Sequence, residues 1–305
     1  MVMNQELQVT LTGPDLRATL PAMLDGFKQH QGVYYPVADV MTADDPYRAQ
    51  WDHEADEDAV YSAIGIVSHG REDYETLTAT RQRLWREFPR RHVGTIVEIG
   101  CGYGRVPMLL SRERGVTCDC YVGVDISRNM LTRFARYREP HKVFPEAQVL
   151  LVCASAEQLP LAHDSVDLVI SSGVFLHMGK SFVRSTLQAM GRILKPGGAV
   201  AFDTSFPNQR SLSLLPTRLY GLFAPDKPNR AKYYTRSEIA ALLDDTGIVK
   251  KCGPITIEAT EFAVVPPRIR RIQVPLAARL NALLSPPPRG LEDLVAAMYS
   301  AHSTL

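Results

Sequence analysis

The sequence predicts an open α/β sandwich of seven mostly parallel strands with helices on both faces. Two observations predict it. From residue 95 onward short apolar runs alternate with amphipathic helical stretches, the pattern of strands joined by crossover helices. A glycine-rich turn, "VEIGCGYGR" from Val97 to Arg105, closes the first of those runs. With 305 residues, 45% of them hydrophobic and 22% charged, the chain is long enough to bury a full core.

"TIVEI" (95–99) reads as the first strand, followed by a helix over 105–114 that ends at Gly115. "CYVGVD" (120–125) is the second strand. Ser127 caps a helix that carries Met130, Leu131 and Phe134 on one face, and Pro140 ends its reach. "QVLLVC" (148–153) and "VDLVIS" (166–171) are strands three and four. Val183, Leu187, Met190 and Leu194 form one apolar stripe of the next helix, which "KPGG" (195–198) stops. "AVAFD" (199–203) is strand five. Thr235 and Glu238 form a capping box that opens a further helix, with Ile239, Leu242 and Leu243 inward and Gly247 just past its end. The last two strands are expected within 248–265, antiparallel to each other, as a hairpin-like edge.

The expected division is a helical cover over 1–90, the sheet over 91–265 and a helical extension over 266–305. The cover holds eight carboxylates against one arginine in 39–58, then an amphipathic helix displaying Tyr74, Leu77, Leu84, Trp85 and Phe88. Arg81, Arg83, Arg86, Arg90 and Arg91 share that helix, which reads as a packed element with a solvated face rather than a nucleic-acid arm. The insertion 205–234 carries Pro207, Pro216, Pro225 and Pro228, too many for one long helix. It leaves the carboxyl end of strand five, where open α/β sheets bind ligands, and is the candidate lid. In the tail, Arg268, Arg270, Arg271, Arg279 and Arg289 stand among apolar residues. Packing with solvated guanidinium groups is the expected use of that segment, ahead of contact with lipid or an anionic substrate.

The formal net charge of +1 provides no global attraction to nucleic acid. The five cysteines include no C-x-x-C pair, so buried thiols in a reducing compartment are expected rather than disulfides or a metal site. No run approaches a membrane span, and the expected location is the cytoplasm, without stable membrane association. A homo-oligomer is compatible with everything read so far.

Gly100, Gly102 and Gly104 are spaced G-x-G-x-G, and Glu98 stands two residues ahead of them. A dinucleotide rests its pyrophosphate on the helix N-terminus after such a turn, and a carboxylate beside it would repel phosphate. S-adenosyl-L-methionine has no phosphate; its cationic amino group and sulfonium suit a carboxylate. At this point "VEIGCGYGR" resembles the first motif of the class I S-adenosylmethionine-dependent methyltransferases of small-molecule type, whose Rossmann-like sheet has the strand pattern read above. "GVDISRNML" (123–131), "ASAEQLPLAHDSVDLVISSGVFLHM" (154–178) and "ILKPGGAVAFD" (193–203) resemble the later blocks in the family's order. The resemblance implies that Asp125 takes both ribose hydroxyls and that Ile126 and Met130 line the adenine. Ser155, Ala156, Glu157 and Ser172 complete the expected cofactor-binding set, with Glu157 or the backbone around Ala156 as alternatives for adenine recognition. Ser155 stands where the family commonly has an Asp for the adenine amine, and a hydroxyl is a poorer acceptor than a carboxylate.

Methyl transfer is an in-line displacement, so alignment matters most, together with a base when the acceptor is a hydroxyl. The resemblance points to His177 as that base; the alternative is a histidine that starts the next helix. Asp203, at the end of strand five, is a second candidate, as base or as orienting partner, against a turn acceptor for backbone N–H groups. Tyr34, Tyr35 and Trp51 are candidates to close over the donor, against plain packing. The signatures of adenine, glutamine, cytosine-C5, arginine and catechol-type methyltransferases are absent. A small-molecule acceptor remains: a natural product, sugar or lipid-like intermediate, most naturally methylated on oxygen. N- or C-methylation, and a donor-binding protein without transfer activity, are the alternatives.

Overall fold

The computed structural model describes residues 26–37, 92–211, 233–262, 293 and 296–303. In chain order the strands are β1 (Phe27–His30), β2 (Val33–Pro36), β3 (His92–Ile99), β4 (Thr117–Asp125), β5 (Gln148–Cys153), β6 (Val166–Ser172), β7 (Leu194–Pro207), β8 (Ile255–Phe262) and β9 (Ala296–Ser303). The helices are α1 (Arg105–Met108), α2 (Arg128–Arg138), α3 (Lys180–Ile193), α4 (Arg236–Asp245) and α5 (Ile248–Cys252). One sheet holds these strands in the order β1-β2-β5-β4-β3-β6-β7-β9-β8. The chain steps outward from β3 through β4 to β5, then crosses back to β6 and β7 on the other side. Strand order therefore reverses between β3 and β6, which puts a crevice beyond their carboxyl ends.

Two apolar layers sandwich the sheet. Val97 and Ile99 of β3 join Val183, Leu187 and Met190 of α3 and Leu243 of α4 on one face. Ile96, Leu168 and Ile170 meet Leu110, Leu131 and Phe134 on the other. The α3 stripe follows from helical spacing, since residues three and four apart share a face. The Ser127 hydroxyl accepts from the Met130 N–H at 3.1 Å, the expected α2 cap. Both halves of the Thr235–Glu238 capping box are formed, and Tyr234 before it is buried with Ile239 in the same core layer.

Four expectations change. The final strand pair does not lie within 248–265: the described residues of that stretch, 248–262, form α5 and β8. The seventh core strand is β9, from the tail, inserted between β7 and β8 and antiparallel to both. Its sequence, AAMYSAHS, has no apolar alternation, and pairing along both edges holds it in place. The segment expected to be a helical extension thus ends as strand. Second, residues 27–36 of the expected helical cover form a hairpin, with φ of 52° at Gln31 and 78° at Gly32, the mirror-image turn that matches strand twist. β2 then adds in parallel to the free edge of β5. Third, the helix expected over 105–114 is a single α turn that continues as a π turn over Leu109–Glu113 before Gly115. Fourth, "KPGG" does not separate helix from strand. The register jumps from Val166↔Leu194 to Leu168↔Ala199, so 195–198 bulge out of a strand that is already running. Residues 212–232 of the expected lid lie outside the described residues, as do Trp51 and the arginine-bearing helix. A bridge joins Asn208 and Tyr234, near the two ends of the insertion.

Candidate functional site

The turn after β3 lies in the crevice made by the strand reversal. The backbone N–H groups of Gly100 and Cys101 donate to the Val124 carbonyl of β4 at 2.8 and 3.2 Å, which folds the turn back over the sheet. Gly100 has φ of 70°, and a Cβ on it would lie 2.3 Å from Val174 Cγ2, across the crevice. Gly102, with φ of 52°, has no atom within 4 Å of where its Cβ would stand. One glycine is demanded by close packing, and the other leaves open space at the turn's crest. The conformations themselves favour glycine. Gly104 ends the turn as the residue before α1.

Asp125 faces that crest from the end of β4. Its two carboxylate oxygens accept from the Gly102 N–H at 2.8 Å and the Ser127 N–H at 2.9 Å. Both of these donors are backbone N–H groups, which fix the carboxylate at the end of β4. Behind it the Ala154 N–H donates to the Asp125 carbonyl at 3.1 Å, which ties the loop after β5 to the same point. Ser155 and Glu157 are half-buried in that loop, and Ala156 is buried. The Ser155 hydroxyl sits 3.5 Å from the Glu157 N–H. Ile126 is half-buried and Met130 buried beside Asp125.

Glu98, near the end of β3, is buried. It is 2% exposed and accepts from the Tyr121 hydroxyl at 2.6 Å. Burial pushes its carboxyl up to about 8, opposed by the Tyr121 hydrogen bond and the Arg105 charge and reinforced by Asp125. A carboxyl raised to about 8 favours its protonated form at neutral pH, rather than a ready negative charge. The folded state binds this proton more tightly than the unfolded chain. Stability is consequently expected to fall as pH rises from the ordinary 4.5 toward 8. Glu98→Gln keeps the Tyr121 acceptor and removes the titration, so its thermal unfolding curve should lack that slope and exceed wild type most at pH 8. Parallel pH profiles for the two proteins would contradict this assignment.

On the other side of the crevice, Asp203 of β7 is 2% exposed. Its carboxylate accepts from Ser172 at 3.4 Å and from Ser300 of β9 at 3.2 Å. These bonds tie β6, β7 and β9 together. Ser300 was missed because the signal for β9 was missed. His177 ends the 3-10 turn Phe175–His177 and is half-exposed. Its turn is anchored by buried Phe175, whose ring lies 5.6 Å from Phe202 and 5.5 Å from Phe206. The fold thus brings the glycine turn, Asp125, Ser172, Asp203 and the His177 turn to one end of the sheet. Tyr34 and Tyr35 stand at its edge. Among the described residues no three His, Cys, Asp or Glu side chains are placed to hold a metal.

Residues 97–202 match the methyltransferase domain family. The chain is 30% identical over 170 residues to a malonyl-[acyl-carrier protein] O-methyltransferase of Marinomonas, covering 53% of this chain and 54% of that one. It is 32% identical over 152 residues to a dimethylglycine N-methyltransferase of Parasynechococcus marenigrum, covering 49% and 51%. It therefore spans about half the length of these curated relatives. Among solved structures, a Haemonchus contortus phosphoethanolamine N-methyltransferase with bound phosphomonomethylethanolamine and S-adenosylhomocysteine superposes with TM-score 0.53 at 20% identity. That match covers 84% of this chain and 59% of the other, and it shows a shared fold.

Proposed function

We propose that this chain is a class I S-adenosylmethionine-dependent methyltransferase that transfers a methyl group to a small molecule, a reading supported by the methyltransferase-domain match and by the curated relatives. The observation that carries the reading is the Asp125 carboxylate, fixed by the Gly102 and Ser127 N–H groups beside the open crest of the glycine turn. Those residues fit a nucleoside ligand: the carboxylate can accept from two ribose hydroxyls, and the bare Gly102 lets a ligand lie against backbone. When bound, S-adenosyl-L-methionine supplies an electrophilic methyl group. Ile126, Met130 and the 155–157 loop would hold its adenosine end, and the 100–104 turn its methionine end.

Oxygen is the proposed acceptor atom, with His177 holding the proton that the acceptor hydroxyl gives up. Support comes from its half-exposed position on a rigidly packed turn at the same end of the sheet and from the relationship to a malonyl-carrier-protein O-methyltransferase. His177→Ala is expected to lower the rate roughly 100- to 10,000-fold while leaving donor affinity unchanged. The measurement is transfer of label from S-adenosylmethionine to a panel of hydroxyl acceptors, with carboxylates, which are ionised at neutral pH and need no base, as the insensitive control. An unaffected rate with hydroxyl acceptors would remove His177 as the base, and transfer confined to amines would favour the second reading, N-methylation, which the similarity to a dimethylglycine N-methyltransferase supports. Donor binding without transfer to any acceptor would leave a binding protein. We assign Asp203 to holding the sheet rather than to proton transfer. Cytoplasmic placement belongs to this reading and is supported by five free cysteines.

A further inference from the structure

The β1–β2 hairpin extends the sheet beyond β5, on the side of the 155–157 loop. Tyr34 pairs with Val152 and Asp125 with Cys153, so Tyr35, Cys153 and Asp125 stand in one row across three neighbouring strands. Two strand spacings separate Tyr35 from Asp125, about 10 Å. That is on the scale of a nucleoside laid along the row with its ribose on Asp125. The Tyr35 ring is held in place: the Arg128 guanidinium carbon lies 4.5 Å from its centroid and Lys28 Nζ 4.9 Å. Arg128 in turn opens α2, directly after Ser127, whose N–H holds Asp125. A planar cation against an aromatic ring is thereby anchored to the Asp125 carboxylate through two consecutive residues.

We propose that the Tyr35–Arg128 pair is the purine wall of the cofactor site, recognising the base by stacking rather than by reading its exocyclic amine. The inference rests on the cofactor reading above. It accounts for Ser155, whose neutral hydroxyl lies against its own loop and offers the amine no carboxylate. Stacking needs only a flat π surface, which every purine has, so selectivity for adenine over its deaminated form becomes weak. The hairpin then has a task in the site, and the extra edge strand is the means of delivering Tyr35.

The test is calorimetric titration with S-adenosylhomocysteine and with its 6-deaminated counterpart, S-inosylhomocysteine, neither of which needs an acceptor. Wild type should bind both with affinities within a few-fold of each other. Tyr35→Ala and Arg128→Ala should each weaken both ligands by roughly tenfold or more and by the same factor, while Tyr35→Phe retains affinity. Ser155→Asp should restore preference for the adenosyl ligand. Where Tyr35→Ala loosens the hairpin, Arg128→Ala carries the same test on a helix held by its own cap, and thermal unfolding separates the two effects. Wild-type binding unchanged by either alanine, or rejection of the inosyl ligand by a hundredfold, overturns the proposal. Wild type that binds neither ligand overturns the cofactor reading itself, a different result from binding insensitive to Tyr35 and Arg128.

Discussion

Asp125→Ala is expected to weaken S-adenosylmethionine and S-adenosylhomocysteine by the same factor, at least about a hundredfold, without loss of fold. The magnitude follows from charge-assisted hydrogen bonds, each worth roughly 1.5–3 kcal/mol, of which a carboxylate facing two ribose hydroxyls makes two. A further loss comes from the backbone. With the carboxylate gone, the Gly102 and Ser127 N–H groups lose their acceptor, and the turn loses the contact that fixes its crest. Equality between the two ligands is the diagnostic part. They differ in charge at sulfur and share the ribose, so a ribose contact must cost them alike. Asp125→Asn should fall between, because the amide keeps one acceptor oxygen and turns its NH2 toward a backbone donor. Calorimetry with circular dichroism as the fold control decides it. An alanine variant that binds both ligands within a few-fold of wild type removes Asp125 from the site.

What the sequence disclosed about this site was local in origin. The glycine turn, the Ser127 cap, the Asp125 position and the Thr235 capping box are set by backbone conformation within a few residues, and such signals are written contiguously. The missed features depend on residues far apart in the chain. Tyr121 gives no hint that its hydroxyl serves Glu98, 23 residues away, and only the pairing of β3 with β4 joins them. Ser300 reaches Asp203 across 97 residues, from a strand whose polar, small residues carry no periodicity. Tyr35 was legible as an aromatic near the donor, but not as the end of an edge strand, because Gln-Gly is a weaker turn signal than Asn-Gly. The apolar run around Asp167 shows the same limit in another form: it announces a buried strand and leaves unexplained why a carboxylate stands inside it.

The structure explains that carboxylate and attaches a large effect to it. Asp167 sits on β6 with its side chain 8% exposed; it accepts from the Thr95 N–H at 2.7 Å and from Lys195 Nζ at 2.9 Å, and the lysine side chain is 11% exposed. Lys195 gets there because the 195–198 bulge frees it from the β6–β7 register. Gly94 leaves the room, since a Cβ on it would stand 2.7 Å from an Asp167 oxygen. Asp167→Ala therefore leaves an ammonium buried without its counter-charge and a strand N–H without its acceptor. The expected destabilisation is about 3–5 kcal/mol, roughly a 10 °C fall in Tm for a domain of this size. Asp167→Asn keeps an acceptor for Thr95 and abandons only the charge, so it should lose less. The pair Asp167→Ala with Lys195→Met removes both charges and should recover part of the loss, because what destabilises is the uncompensated ammonium rather than the absence of an ion pair. Thermal and denaturant unfolding of the three variants tests the order. If the double variant is less stable than Asp167→Ala, the ion pair itself holds β3, β6 and β7 together, and the buried-charge account is wrong.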